Sequence, residues 1–112
     1  MSVSLLITKN GSSDQDRIIP IATESMFSDL WIPAALQLKL RYVPLFQSGL
    51  FIEREDISEV IAELISLRSF FAQHLGIKDL NDLSVHLISR IDSLIDNLLQ
   101  LEKDTAATIY IG

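Results

Sequence analysis

Asp56–Glu102 reads DISEVIAELISLRSFFAQHLGIKDLNDLSVHLISRIDSLIDNLLQLE, and its periodicity decides the fold. Ile57, Val60, Ile61, Leu64, Leu67 and Phe71 recur three and four apart, so they make one apolar stripe on a helix. Asp56-Ile57-Ser58-Glu59 has the form of a capping box with Asp in the Ser/Thr place, which starts that helix. Gly76 is placed to stop it after Leu75. The pattern restarts over Lys78–Asn81, and Leu80, Leu83, Leu87, Ile91, Leu94, Ile95 and Leu98 carry it to about Glu102. Two amphipathic helices around a glycine predict an antiparallel hairpin. Val85, Ile88, Leu99 and Leu101 lie outside or at the margin of the second stripe. That width predicts burial on two sides, either within the chain, which is favoured, or in a homodimer.

Working outward, both ends of the chain read as strands. Val3, Leu5 and Ile7 alternate in Ser2–Thr8, and Ala107, Ile109 and Ile111 alternate in the tail, with Thr108 and Tyr110 on the opposite side. Residues 9–16 are a polar loop with an Asn10-Gly11 turn signal. Arg17–Ala22 is a second strand, and Pro20, which lacks an amide hydrogen, predicts an edge position or an early end. Thr23–Trp31 is a short helix capped by Thr23 or Ser25, with Phe27, Leu30 and Trp31 on one side. Leu36, Leu38, Leu40 and Tyr42 alternate with Gln37, Lys39 and Arg41. Period two predicts a half-buried strand there, although a Leu- and Gln-rich run after Pro33 can begin as helix. Gln47-Ser48-Gly49 is a turn, and Leu50–Glu53 allows a short strand.

The expected fold is α+β, one domain over residues 1–112. A small, mostly antiparallel sheet is covered on one face by the two long helices, with the terminal strands near each other. The other face is expected to carry Lys39, Arg41, Thr108 and Tyr110. With 112 residues and 48% hydrophobic residues the chain buries roughly two-thirds of its unfolded surface, enough for one core. It has no cysteine, which excludes a disulfide scaffold, thiol chemistry and thiolate zinc sites. No apolar run approaches the roughly 20 residues of a membrane span, and Met1–Asp16 does not read as a signal peptide. The expected compartment is the cytoplasm, with no membrane partner.

The charge is unevenly placed. Residues 1–50 hold four basic and four acidic groups, whereas residues 51–112 hold five basic and eleven acidic ones. A field of that sign repels nucleic acid and attracts a basic partner, although charge that merely keeps a protein in solution looks the same. Glu53, Glu55, Asp56 and Glu59 are the densest group. They either complement the positive start of the helix, which is favoured, or mimic phosphates for a basic cleft. Asp82, Asp92 and Asp96 complete the candidate partner-binding set. Phe27 and Trp31 beside Pro33 are core packing in preference to an exposed anchor pair.

Catalytic signals are weak. The only imidazoles are His74, at a helix end, and His86, one turn from Asp82 and from Arg90. Asp82–His86 could serve as an oriented base in a small hydrolase or transferase, but a surface pair is far more common. Asp92 and Asp96 are one turn apart without a His-x₃-His, Glu-x-x-His or calcium-loop pattern, so a solvated acidic face outweighs a metal site. No glycine-rich phosphate loop is present. The expectation is therefore no catalytic residue, no cofactor and no metal.

Trp31-Ile32-Pro33-Ala34-Ala35, leading into Leu36-Gln37-Leu38, resembles the Trp-x-Pro segment of small bacterial immunity proteins of contact-dependent and polymorphic toxin systems. Phe46-Gln47-Ser48-Gly49, the acidic helix start with Glu63-Leu64-Ile65-Ser66-Leu67, and the closing Ile109-Tyr110-Ile111-Gly112 extend the likeness over Phe27–Phe71 and the tail. The resemblance implies a cognate toxin domain as partner, often a basic nuclease, whose active site is occluded by carboxylates. It supplies no catalytic residues. The alternative is a self-associating structural or adaptor domain without activity, resting on the broad apolar surface of Leu80–Leu101.

Overall fold

The computed structural model describes residues 2–9, 12–74, 82–103 and 107–112, of which 2, 9, 12–16, 74, 82–86 and 107 are described by backbone alone. The elements are β1 (Ser2–Lys9), β2 (Ser12–Thr23), α1 (Glu24–Met26), a π-helical turn (Phe27–Trp31), α2 (Ile32–Gln37), a 3₁₀ turn (Val43–Gln47), β3 (Leu50–Ile52), a 3₁₀ turn (Arg54–Asp56), α3 (Ile57–His74), α4 (Asp82–Leu101) and β4 (Ala107–Ile111). The sheet order is β2-β1-β4-β3, antiparallel throughout. The terminal strands pair directly, Leu5 opposite Ile111 and Ile7 opposite Ile109, and Gly112 exchanges two backbone hydrogen bonds with Ser4 (3.0 and 3.1 Å).

Alternation places Val3, Leu5, Ile7, Ile109, Ile111 and Ile52 on one sheet face, all buried. β2 lies at the edge, as Pro20 predicts, and a register shift at Val3/Ser4 lets both Ile21 and Ala22 turn inward. The strand begins at Ser12, so the polar segment 12–16 that reads as loop is strand in the structure. Ser12 pairs with Lys9 and Arg17 with Ile7, and the register shift between them takes up the polar residues 13–16.

Every predicted stripe residue of α3 is buried, as are Leu87, Ile91, Leu94 and Leu98 of α4. Each such side chain contributes about 1.5–3 kcal/mol by leaving water. Leu101 is also buried, Ile88 is half-buried and Leu99 is 48% exposed. The Gly76 stop and the Lys78–Asn81 restart lie outside the described residues, as do the side chains of Leu80, Leu83 and Val85. Thr23 caps α1, its hydroxyl accepting from the Met26 amide at 3.1 Å. Phe27 and Trp31 are fully buried with ring centroids 5.4 Å apart, which makes them core.

The strand expected over Leu36–Tyr42 is not there. Pro33 sits in the first turn of α2, where its missing amide costs nothing, and the helix runs to Gln37. The Leu40 amide then bonds the Ala35 carbonyl (2.9 Å) and the Lys39 amide bonds that of Leu36 (3.2 Å). With Lys39 at φ 59°, this is a Schellman ending. Its usual glycine is replaced by lysine, so the sequence carries no stop signal. Lys39 and Arg41 consequently leave the sheet, and Leu36 is 64% exposed.

Candidate functional site

Asp56, the last residue of the 3₁₀ turn Arg54–Asp56, and Glu59 and Glu63 of α3 are spaced three and four apart and form one stripe beside the buried face of α3. They converge on residues 41–43, the segment released by the Lys39 turn. The Glu63 carboxylate accepts three consecutive backbone amides: Arg41 (3.1 Å), Tyr42 (2.9 and 3.2 Å) and Val43 (3.2 Å). These include donors at the start of the 3₁₀ turn Val43–Gln47, which no intrahelical carbonyl can satisfy.

Held this way, Tyr42 projects toward the acidic stripe. Its hydroxyl lies 3.1 Å from Asp56 Oδ1 and 3.1 Å from Glu59 Oε2. A phenol has one proton to donate, so two carboxylates share a single donor and the face keeps surplus negative charge. Asp56 and Glu59, read from the sequence as a capping box, meet instead at the Tyr42 hydroxyl. Burial pushes the Tyr42 phenol up to about 12, and the hydrogen bonds to Asp56 and Glu59 act in the same direction. The guanidinium of Arg41 lies 5.6 Å from the ring centroid.

The sign of the pH effect follows. Tyr42 is held neutral in the folded state, so its contribution is fully present below pH 10 and is lost as pH rises through about 12. Absorbance titration of the phenolates should show one step near 12 that Tyr42→Phe removes. A wild-type curve unchanged by that substitution would refute the assignment.

Glu53 and Glu55 are exposed at the turn preceding α3, and neither bonds a described side chain. Arg54 between them donates from Nε to the Glu102 carbonyl (3.2 Å), at the carbonyl-rich end of α4. A shallow depression of about 580 Å³ bounded by Arg54, Glu55, Ser58, Glu102 and Lys103 marks where the acidic face gives way to mixed charge.

The remaining candidates lie elsewhere. Asp92 is paired with Arg68 (Nε–Oδ1 2.6 Å, Nη2–Oδ2 3.3 Å), which raises the Arg68 pKa through that hydrogen bond. Arg68 is twelve residues beyond Asp56, roughly 18 Å along α3, so Asp92 is not part of the acidic cluster. Asp96 is exposed beside a shallow depression of about 630 Å³ lined also by Ile88, Ser89, Asp92, Ser93 and Asn97. The side chains of Asp82, His86 and His74 lie outside the described residues. Among the described residues no three His, Asp or Glu side chains gather as metal ligands would, and no helix is long and apolar enough to cross a membrane.

No family model, curated protein or solved structure matches this chain.

Sequence reasoning missed Tyr42, read as an inward strand residue, and Glu63, read only as part of a helical motif. The three-four spacing of Asp56, Glu59 and Glu63 was a usable signal for a shared face. That the face is completed by residues 41–43 depends on the unsignalled turn at Lys39.

Proposed function

We propose that this chain is a non-catalytic, cytoplasmic binding protein: an immunity-type antidote that neutralises a basic toxin domain, a nuclease in the first instance. The observation that carries the reading is the acidic group at the start of α3, where the Asp56 and Glu59 carboxylates meet at the Tyr42 hydroxyl and Glu53 and Glu55 stand exposed on the turn before them, with Arg54 turned to the end of α4. A nuclease holds phosphates with Lys and Arg. A rigid helix presenting carboxylates at one-turn spacing offers those cations the same charge, and a centrally placed tyrosine is a common anchor in such contacts. The carboxylates of Asp56 and Glu59 share one donor, which favours an incoming cation. Asp96, on another face, is a secondary contact at most, and Asp92 is already committed to Arg68.

The test is titration calorimetry against the product of the adjacent gene. A one-to-one complex is expected, weakening steeply between about 50 and 500 mM salt. Glu53→Lys with Glu55→Lys should reduce affinity on the order of a hundredfold without lowering the melting temperature, because neither side chain bonds a described residue. A complex indifferent to both changes, or no complex, would sink the reading. The self-associating alternative is favoured by a different surface, the open face of the sheet.

A further inference from the structure

The geometry points to a second interaction surface: we propose that the uncovered sheet face is a self-complementary interface through which two copies of this chain form a weak, two-fold symmetric dimer. Antiparallel sheets usually clothe a solvent face with polar residues. Here one row crosses all four strands without a charge. Ile18 stands opposite Leu6, Leu6 opposite Tyr110, and Tyr110 opposite Phe51. Leu5 and Ile7 are buried on the other side, so Leu6 and its row partners face outward. The ends of the row are the most open, with Ile18 69% and Phe51 64% exposed. The Phe51 and Tyr110 rings pack at 4.8 Å between centroids, which holds Phe51 upright on the short edge strand. The flanking outward positions are Ser4 and Pro20 on one side, Thr8 and Thr108 on the other.

Two arguments select a second copy as the occupant. The first is charge. The chain carries a net charge of -6, so most pairs of its faces would bring carboxylates together. The four side chains of the row carry no charge, so two copies can bring the row together with little like-charge repulsion, while a basic partner finds nothing in it to hold. The second is shape. A two-fold axis parallel to the strands, lying between the two faces over the β1/β4 boundary, lays the Ile18 end of one row over the Phe51 end of the other, an aromatic on a branched aliphatic at both edges. Four strands about 4.8 Å apart by three outward positions about 6.8 Å apart give roughly 400 Å² per copy. About 800 Å² in total is below the size of a stable interface, so dissociation constants of tens to hundreds of micromolar are expected.

Sedimentation equilibrium of the full chain from about 5 µM to 1 mM tests this. A monomer–dimer equilibrium in that range is expected. Ile18→Lys with Phe51→Lys should weaken it at least tenfold, with far-UV circular dichroism unchanged, while Ile65→Lys with Leu99→Lys on the helices leaves it intact. The chain has no cysteine, so the register can be read directly. Ile18→Cys mixed with Phe51→Cys should cross-link through a short bis-maleimide faster than either variant with itself. A monomer up to 1 mM, association removed by the helix substitutions instead, or equal homotypic cross-linking would each overturn the proposal. None of these outcomes bears on the acidic face, which is tested by toxin binding alone.

Discussion

Replacing Glu63 with alanine is expected to cost about 2–4 kcal/mol of folding stability, more than its half-buried position on a polar helix flank would suggest. The reason is the number of donors it serves. Arg41, Tyr42 and Val43 all direct their amides at this one carboxylate, at distances between 2.9 and 3.2 Å. Among the described residues those amides have no other acceptor, and each donor left unsatisfied carries a desolvation penalty of about 1 kcal/mol or more where it is part-buried, as at Tyr42 and Val43, and less at the exposed Arg41 amide, which can turn to water. Glu63→Gln keeps one carbonyl oxygen with two lone pairs and should cost about half as much. Urea denaturation measures the loss. Hydrogen exchange gives the specific signature: the amides of residues 41–43 should lose protection while those of β1 keep theirs. A loss below about 0.5 kcal/mol would mean that the clamp is not what positions this segment. Because Tyr42 is one of those three residues, Glu63→Ala should also weaken any complex formed through the proposed acidic surface, even though Glu63 need not touch the partner.

Gly49→Ala is expected to be comparably damaging, at about 2–4 kcal/mol, or on the order of 10–20 °C in Tm. Two independent costs meet at this position. Gly49 has φ +97°, where any Cβ collides with its own backbone. A Cβ there would also lie 2.1 Å from the Tyr110 hydroxyl oxygen, which has to move. Moving it disturbs the tilted packing of the Tyr110 ring against Phe51. The two costs separate in a double-mutant cycle. Against a Tyr110→Ser background the steric part disappears, so Gly49→Ala should cost about 1 kcal/mol less than in the parent protein. Strict additivity would show that the hydroxyl simply swings aside. Both predictions concern structure that frames a proposed surface, since Glu63 places Tyr42 on the acidic face and Gly49 seats Tyr110 in the open-face row.

Much of the architecture was legible because it depends on local periodicity. The buried stripes of α3 and α4, the inward set of β1 and the inward set of β4 follow from spacing alone, and Pro20 marks β2 as an edge. The Leu36–Tyr42 segment shows where such reasoning fails. Its alternation is real, yet Pro33 at the start of a helix and two alanines favour α2, and the chain turns at Lys39 in a conformation normally announced by glycine. The candidate site was half legible for the same reason. The acidic residues on α3 were visible, but Tyr42 was assigned to a strand that does not form.

By itself, the sequence determined the two amphipathic helices, the terminal strands, the imbalance of charge and the clustering of acids at the start of α3, since each depends on residues within one or two turns of one another. Only the tertiary structure decided that Tyr42 and Glu63 belong to that acidic face, that Asp92 is taken by Arg68, and that Ile18, Leu6, Tyr110 and Phe51 line up across four strands. Those relations join residues from about a dozen to more than a hundred positions apart in the chain. Their free energy comes from closing loops around a shared core, which no local pattern of side chains encodes.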